Sequence, residues 1–192
     1  MSEKPPPRRR PNATKRGEAE QKILEATRRL FDVRLYHEVS REDIAREAGV
    51  YPGTVHKNFA TKQAVVVAAY APSLLDLLRI VEGDAKISRN NDRAIRWFVH
   101  QLVEYLQPRP ALAYALLPLA RDQRTSKNEP VQSVSLKVLT DFLAALLEQR
   151  GQAKDETVQA AELCLSGLLT WIAQHPRRPV EMIEKIALSQ LL

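Results

Sequence analysis

Apolar residues recur along most of the chain at intervals of three and four, the spacing that lines one face of an α-helix. No segment alternates apolar and polar positions as a half-buried strand does. Proline, glycine and runs of polar residues separate the helical segments, and the polar stretches 83–92 and 121–130 are predicted to be loops. The pattern therefore predicts an all-α fold of about nine helices.

Residues 40–59 have the pattern of two short helices joined by a tight turn. Ser40 and Asp43 have the spacing of a capping box, which starts a helix by satisfying its first N–H groups. Gly49 suits the left-handed conformation that ends a helix, and Pro52 suits the first turn of the next one. Two helices in this arrangement form a helix-turn-helix, whose second helix enters the major groove of DNA.

The second helix of this pair, at about 51–57, is the predicted recognition helix. Val55 and Phe59 are expected to be buried, which leaves the polar side chains outside. Four residues are expected to lie in or beside the groove: Tyr51, Gly53, Thr54 and Lys57. Lys57 is the candidate for direct base recognition, because a lysine ammonium can donate to O6 and N7 of guanine.

Three further side chains are expected to contact the DNA backbone. His56 and Lys62 are candidates to bind phosphates, and Arg41 can reach the backbone from the first helix of the pair. A cation at the start of a helix opposes the macrodipole, so a phosphate over the open N–H groups explains Lys62 better than helix stability does. The alternatives are a solvent-exposed lysine and a neutral histidine that makes an ordinary hydrogen bond.

Three motifs at fixed offsets resemble the amino-terminal domain of the tetracycline-repressor (TetR) family of transcription regulators. They are ATRRLF from Ala26, IAREAGV from Ile44 and GTVHKNFATK from Gly53. The resemblance covers about residues 20 to 65. It implies a helix-turn-helix domain at 17–62, followed by a helical regulatory and dimerisation domain at 63–192.

The resemblance also implies a function. A protein of this family is expected to be a sequence-specific transcription regulator, most often a repressor, that binds a near-palindromic operator as a homodimer. A small molecule that enters the helical body is expected to move the two DNA-binding heads. The alternative is an architectural or protein-interaction factor on the same scaffold that binds DNA without an effector.

The helical body holds the residues that an effector could meet. Six aromatic or histidine side chains are the candidates: Trp97, His100, Tyr105, Tyr114, Phe142 and Trp171. This mix predicts an apolar or aromatic effector with few charges, and packing within the core is the alternative for each residue. Pro72 lies inside the fourth helix and is expected to kink or split it, either as a pivot or as a fixed bend.

The last two helices are expected to form the dimer interface. Apolar residues on the helix at 155–174 repeat at alternating intervals of three and four, as in a coiled coil. A second apolar stripe runs beside them and consists of Ala160, Cys164, Gly167 and Trp171. A helix that is apolar on two sides must be covered on two sides. The predicted interface residues are Val158, Ala161, Leu165, Leu168, Ile172, Ile183 and Ala187. Burial of this seam inside one chain is the alternative.

The net charge of +6 is concentrated at the amino terminus. Residues 1–16 contain six basic side chains and one acidic one, whereas 17–62 contain eight of each. We expect a disordered basic arm whose Arg8, Arg9 and Arg10 reach phosphates or the minor groove. The alternative is a solvated tail without a defined contact.

Composition gives little support to other classes of function. Cys164 is the single cysteine, which excludes an internal disulfide and suits a reducing cytoplasm. No Ser/His/Asp or Cys/His arrangement, glycine-rich phosphate loop, metal-ligand spacing or apolar run of about 18 residues is evident. We therefore expect a non-enzymatic protein without a cofactor, metal or membrane segment, in the cytoplasm and associated with the nucleoid.

Overall fold

The computed structural model describes residues 11–87, 91–121, 130–151, 153–175, 178–189 and 191. Within these ranges the chain forms α-helices and one short 3-10 helix, Tyr36–Glu38, which we call the 3-10 turn. The α-helices are α1 (Pro11–Phe31), α2 (Arg41–Ala48), α3 (Pro52–Asn58), α4 (Lys62–Ile87), α5 (Asn91–Leu106), α6 (Pro110–Arg121), α7 (Pro130–Glu148), α8 (Lys154–Gln174) and α9 (Val180–Leu188). The all-α prediction is confirmed.

Helices α1 to α3 form the amino-terminal head. Ile23 and Phe31 of α1 are buried against Ile44 of α2 and Val55 of α3, as the apolar spacing of these helices requires. Helix α1 begins at Pro11, so the prediction of disorder was wrong for residues 11–16, and the rest of the predicted arm lies outside the described residues. The proline fits this position because the first N–H groups of a helix have no partner inside the helix.

Helix α4 joins the head to the body and is longer than expected. It is continuous from Lys62 to Ile87, so Pro72 does not split it, and the prediction of a loop was wrong for residues 83–87. Its amino-terminal half contacts α1, and the helix also contacts α5, α6 and α7. Because one helix belongs to both cores, the head and the body are mechanically connected along its length.

The body is a layered bundle around a common apolar core. Helix α8 packs on α6 and α7, and α9 packs on α5 and α8. The predicted inner face of α5 is buried as expected: Ile95, Phe98, Val99, Leu102 and Leu106. These faces are covered by other helices of the same chain, which accounts for the strong apolar periodicity.

Among the described residues, one segment is apolar enough to span a membrane by length and composition. It is Lys62–Val81 of α4, and 61% of this window is buried inside the fold. The core position accounts for its apolar character, because a helix shared by two packed layers has little surface left for polar residues.

Candidate nucleic-acid interface

The turn between α2 and α3 has the local geometry that the sequence predicts. Asp43 N donates to Ser40 Oγ at 3.0 Å and Ser40 N donates to Asp43 Oδ2 at 2.9 Å, which completes the capping box. The hydrogen bonds from Ser40, followed by the Arg46 guanidinium, lower the pKa of Asp43 to about 2. Gly49 ends α2 with φ 65°, in the left-handed region. This turn holds α3 across the outer surface of the head.

Helix α3 has one buried side and one open side. Val55 and Phe59 are buried, which confirms the inner face. On the outer side Tyr51 is 81% exposed, Lys57 is exposed and Thr54 is half-buried. Within the described part of the chain, the side chains of these three residues make no hydrogen bond or ion pair. They are therefore free to meet another molecule.

Gly53 lies beside Tyr51 on this outer side. A methyl group added at Gly53 would lie 3.4 Å from Cδ1 of the Tyr51 ring, an ordinary van der Waals distance. The fold of the head therefore does not require glycine here. The missing side chain instead leaves the backbone at the start of α3 open to close approach by a ligand.

Arg41 and His56 have partners within the protein. Arg41 Nη1 donates to Ala60 O at 2.9 Å, which ties the start of α2 to the turn between α3 and α4. His56 Nε2 lies 3.2 Å from Glu42 Oε1. Neither contact was expected from the sequence, because these partners come from separate elements that the fold brings together. The predicted phosphate contacts of both residues remain predictions.

Lys62 has a structural role that the sequence analysis did not anticipate. Its ammonium donates to Tyr36 O at 2.8 Å and Val39 O at 2.9 Å, and it lies 4.1 Å from the centroid of the Tyr36 ring. Burial lowers the pKa of Lys62 and raises the pKa of Tyr36 to about 12. The alternative of a solvent-exposed lysine was wrong, because the ammonium satisfies carbonyl groups around the 3-10 turn. The predicted phosphate contact of Lys62 stays a prediction.

Glu42 is the residue on this surface that the sequence analysis missed. It occupies the first turn of α2, and its exposed carboxylate faces His56. Its own backbone N–H, and then His56, lower the pKa of this carboxyl group. The sequence shows how many acidic residues the domain contains, but it does not show which of them lies beside the recognition helix. The three arginines predicted to contact DNA from the arm, Arg8, Arg9 and Arg10, lie outside the described residues.

An aromatic stack connects this surface to the body. The rings of Tyr36 in the 3-10 turn and Tyr114 in α6 are 4.5 Å apart at their centroids, and Phe31 of α1 stacks on Tyr36 at 6.0 Å. Tyr114 was predicted to line an effector cavity, but its half-exposed ring instead packs against the head. Helix α6 therefore contacts the 3-10 turn, and the Lys62 ammonium at the start of α4 binds the same turn.

Helix α4 is held from both sides around Pro72. Proline has no N–H to donate in the helix, and side chains donate to carbonyl groups close by. Arg28 Nε of α1 donates to Ala69 O at 2.7 Å, and Tyr105 Oη of α5 donates to Tyr70 O at 3.3 Å. Burial is the main cause of the raised pKa of Tyr105. These donors favour a fixed bend over a free pivot.

The other predicted effector residues have different surroundings. His100 Nδ1 lies 2.5 Å from Glu184 Oε1 of α9, so this histidine connects α5 to α9. Trp97 is half-buried against the core. The Phe142 ring packs 5.3 Å from the Phe98 ring. Tyr105 is engaged beside Pro72, as described above. The structure thus assigns several of these side chains to helix packing.

Trp171 differs from these residues. Its ring stacks on His175 at a centroid distance of 4.3 Å, and its Nε1 is buried without a hydrogen-bond partner among the described residues. A buried indole N–H usually has an acceptor. Trp171 therefore remains the predicted effector residue whose buried polar atom lacks an acceptor among the described residues.

The predicted dimer seam on α8 and α9 forms the core of the single chain. Six of its seven residues are buried: Ala161, Leu165, Leu168, Ile172, Ile183 and Ala187. Val158 is half-buried. Assigning these six residues to the dimer interface was wrong, because they are buried within one chain, where α8 packs on α6 and α7 and α9 packs on α5 and α8. The outer side of α8 carries Leu163, which is 67% exposed.

Comparison with known proteins agrees with this geometry. Residues 23–69 match the family model described as bacterial regulatory proteins, tetR family. The HTH-type transcriptional regulator YxaF of Bacillus subtilis (strain 168) is 22% identical over 180 residues, which cover 88% of this chain and 93% of that protein.

Two solved structures share the whole fold. FadR of Thermus thermophilus, a TetR-family repressor in complex with lauroyl-CoA, has a TM-score of 0.63 at 22% identity and covers 90% of this chain and 92% of its own. FadR of Bacillus subtilis, in complex with stearoyl-CoA, has a TM-score of 0.62 at 18% identity and covers 89% of this chain and 96% of its own.

Proposed function

Since this chain is a DNA-binding transcription regulator of the tetR family, we propose that it acts as a homodimeric repressor whose operator affinity falls when an effector binds. It works in the cytoplasm, at the nucleoid. The main support for a DNA-binding surface is the open side of α3. There the side chains of Tyr51, Thr54 and Lys57 make no hydrogen bond or ion pair within the described residues. Side chains of this kind on a recognition helix are suited to base edges in the major groove.

Selection of genomic fragments by the purified protein tests this proposal. A short inverted repeat among the bound fragments is expected, because two heads related by a two-fold axis contact half-sites about 34–36 Å apart or a multiple of this. Lys57→Ala should relax the preference at one position in each half-site. Recovery of unrelated fragments that dissociate at moderate salt would contradict sequence-specific regulation and favour an architectural factor.

The exposed faces of α8 and α9 support dimerisation. Leu163 of α8 and Met182 and Ile186 of α9 are large apolar side chains in contact with solvent. Cys164 and Ala187, the next residues in sequence to Leu163 and Ile186, approach each other across the two helices, with Sγ 4.0 Å from the Ala187 carbonyl oxygen. An added methyl group at Gly167, one turn after Leu163, would meet no atom within 4 Å. The surface beside Leu163 is therefore open to a second helix.

Sedimentation of three variants tests this interface. Leu163→Glu should yield a folded monomer, because it places a charge in the proposed contact. Ile80→Glu is the matched control, since Ile80 of α4 is 55% exposed and lies on another surface. Leu165→Glu should instead destabilise the chain, because Leu165 is buried. A Leu163→Glu protein that keeps the dimer mass would exclude this face.

The effector is proposed to be an acyl-CoA with a long apolar chain. Two proteins of the same fold have lauroyl-CoA and stearoyl-CoA bound. The half-buried aromatic rings of Trp97 and Phe142 and the unpartnered Nε1 of Trp171 in the helical body are compatible with the apolar acyl chain of such a ligand and one polar contact to it.

Titration with acyl-CoAs of increasing length tests the effector. Lauroyl-CoA and stearoyl-CoA should lower operator affinity at least tenfold, which needs about 1.4 kcal/mol of coupling, and should change the emission of the chain's two tryptophans, Trp97 and Trp171. Coenzyme A alone is the control. Unchanged operator affinity at saturating acyl-CoA, with normal DNA binding, would contradict this effector class alone.

A further inference from the structure

The exposed carboxylate of Glu42 lies where a DNA-binding surface would ordinarily carry neutral or basic groups. Glu42 and Asp43 occupy the first turn of α2, but Asp43 is engaged in the capping box and in an ion pair with Arg46 at 2.8 Å. Glu42 has a different position. Its side chain is 56% exposed, and Oε1 lies 3.2 Å from Nε2 of His56 on the recognition helix. The two helices of the helix-turn-helix are thus connected by a carboxylate on their outer surface.

The charge of Glu42 restricts what it can face in a complex with DNA. A carboxylate accepts hydrogen bonds but cannot donate them, so it is repelled by phosphate oxygens and by the O6 and N7 acceptors of guanine. The groups at the start of α2 are also engaged with one another, since Asp43 N donates to Ser40 Oγ and Ser40 N donates to the Asp43 carboxylate. The start of α2 is therefore poorly suited to hold a phosphate.

The base edge that complements a carboxylate is the exocyclic amine of cytosine, which donates from N4 into the major groove. We propose that Glu42 is a specificity-determining residue that selects cytosine at one position in each half-site of the operator. His56 holds the carboxylate against the recognition helix, so that it points along the surface that enters the groove. The inference rests on the proposed function, because it requires a sequence-specific DNA complex.

The test is a binding matrix with all four bases at each half-site position, measured for the wild-type dimer, Glu42→Gln and Lys57→Ala. The wild type should prefer cytosine at one position. Glu42→Gln should weaken that preference by about tenfold and gain adenine, because glutamine pairs with N6 and N7 of adenine. Lys57→Ala is the control on the same surface and should change a different position.

Two outcomes would overturn the inference alone, and they are distinguishable. If Glu42→Gln binds every operator more tightly by the same factor, the carboxylate merely repels DNA and reads no base. If its base preferences match those of the wild type, Glu42 does not contact a base. A wild-type protein that selects no inverted repeat would instead overturn the proposed function and this inference together.

Discussion

The Lys62 ammonium illustrates how one side chain can serve the fold at the place where the sequence suggests a ligand. It satisfies the carbonyl groups of Tyr36 and Val39 and lies over the Tyr36 ring. From the sequence, a lysine in the first turn of a helix is expected to be unfavourable to stability, because the macrodipole opposes it. The acceptors belong to a segment more than 20 residues away, and no local pattern indicates that the fold brings them together.

We predict that Lys62→Met destabilises the head. The substitution keeps the apolar stem but leaves two carbonyl groups without their donor, which costs about 2 kcal/mol and lowers Tm by about 6 °C for a chain of this size. Thermal unfolding monitored by circular dichroism measures the change. Lys57→Met is the control, and it should leave Tm unchanged because Lys57 is exposed and unpaired among the described residues. Equal melting of wild type and Lys62→Met would contradict the structural role.

Asp43 gives a pH-dependent prediction. Its folded-state pKa is about 2, below the ordinary value of 3.8, so its contribution to stability is fully present above about pH 5 and disappears as the pH falls toward 2. Asp43→Asn lacks this titration. The stability difference between wild type and variant should therefore be constant near neutrality and should shrink between pH 4 and pH 2. Urea unfolding at a series of pH values measures it, and parallel curves would contradict the assignment.

At the level of the helices, periodicity predicts which elements form but not always what covers them. The inner faces of α1, α3 and α5 are recognisable because each has a single apolar stripe. Helix α8 has two stripes, and Cys164 and Leu165 from different stripes are both buried in the same chain. Which stripe meets a partner depends on how α6, α7 and α9 approach, and that geometry is non-local. Leu163 falls in neither stripe, so the exposed side of α8 could not be identified from the apolar pattern.

The stack between Tyr36 and Tyr114 predicts a measurable coupling of the body to the head. Tyr114→Ala removes a ring contact of about 1 kcal/mol between α6 and the 3-10 turn. Amide hydrogen exchange across 36–62 should become faster, whereas exchange in α8 should not change. Tyr114→Phe keeps the ring and is the matched control. If the alanine and phenylalanine variants exchange alike in the head, the stack does not connect the two parts.

For the whole molecule, the basic surplus and the groups proposed to select DNA bases lie in different parts of the chain. Residues 1–16 contain six basic side chains and one acidic one, whereas residues 17–62 have eight of each. Non-specific attraction to DNA depends mainly on the number of phosphates neutralised, and we propose that base selection depends on a few groups on the surface of α2 and α3. This balance could be counted from the sequence, but the pairing of Glu42 with His56 required the fold.

Deletion of residues 1–10 should therefore reduce affinity without changing the operator. The deletion removes Lys4 and three arginines, and the slope of log affinity against log salt should fall by roughly 1 for each phosphate that the arm neutralises in the full chain. Fluorescence anisotropy of a labelled operator at several salt concentrations gives the slope. Replacing the same arginines with glutamine is the control for the length of the arm. A slope equal to that of the full chain would show that residues 1–10 do not neutralise phosphates.

The single thiol of the chain provides an intrinsic reporter of opening. Cys164 is buried between α8 and α9, and burial raises its pKa to about 11, so the thiol is both inaccessible and mostly protonated in the closed form. An aromatic disulfide reagent should consequently react only as often as α9 detaches from α8. The labelling rate of the unmodified protein therefore measures how often α9 detaches from α8. The dependence of this labelling rate on denaturant concentration distinguishes two routes. Labelling through local opening is nearly insensitive to denaturant, whereas labelling through global unfolding is steeply sensitive to it.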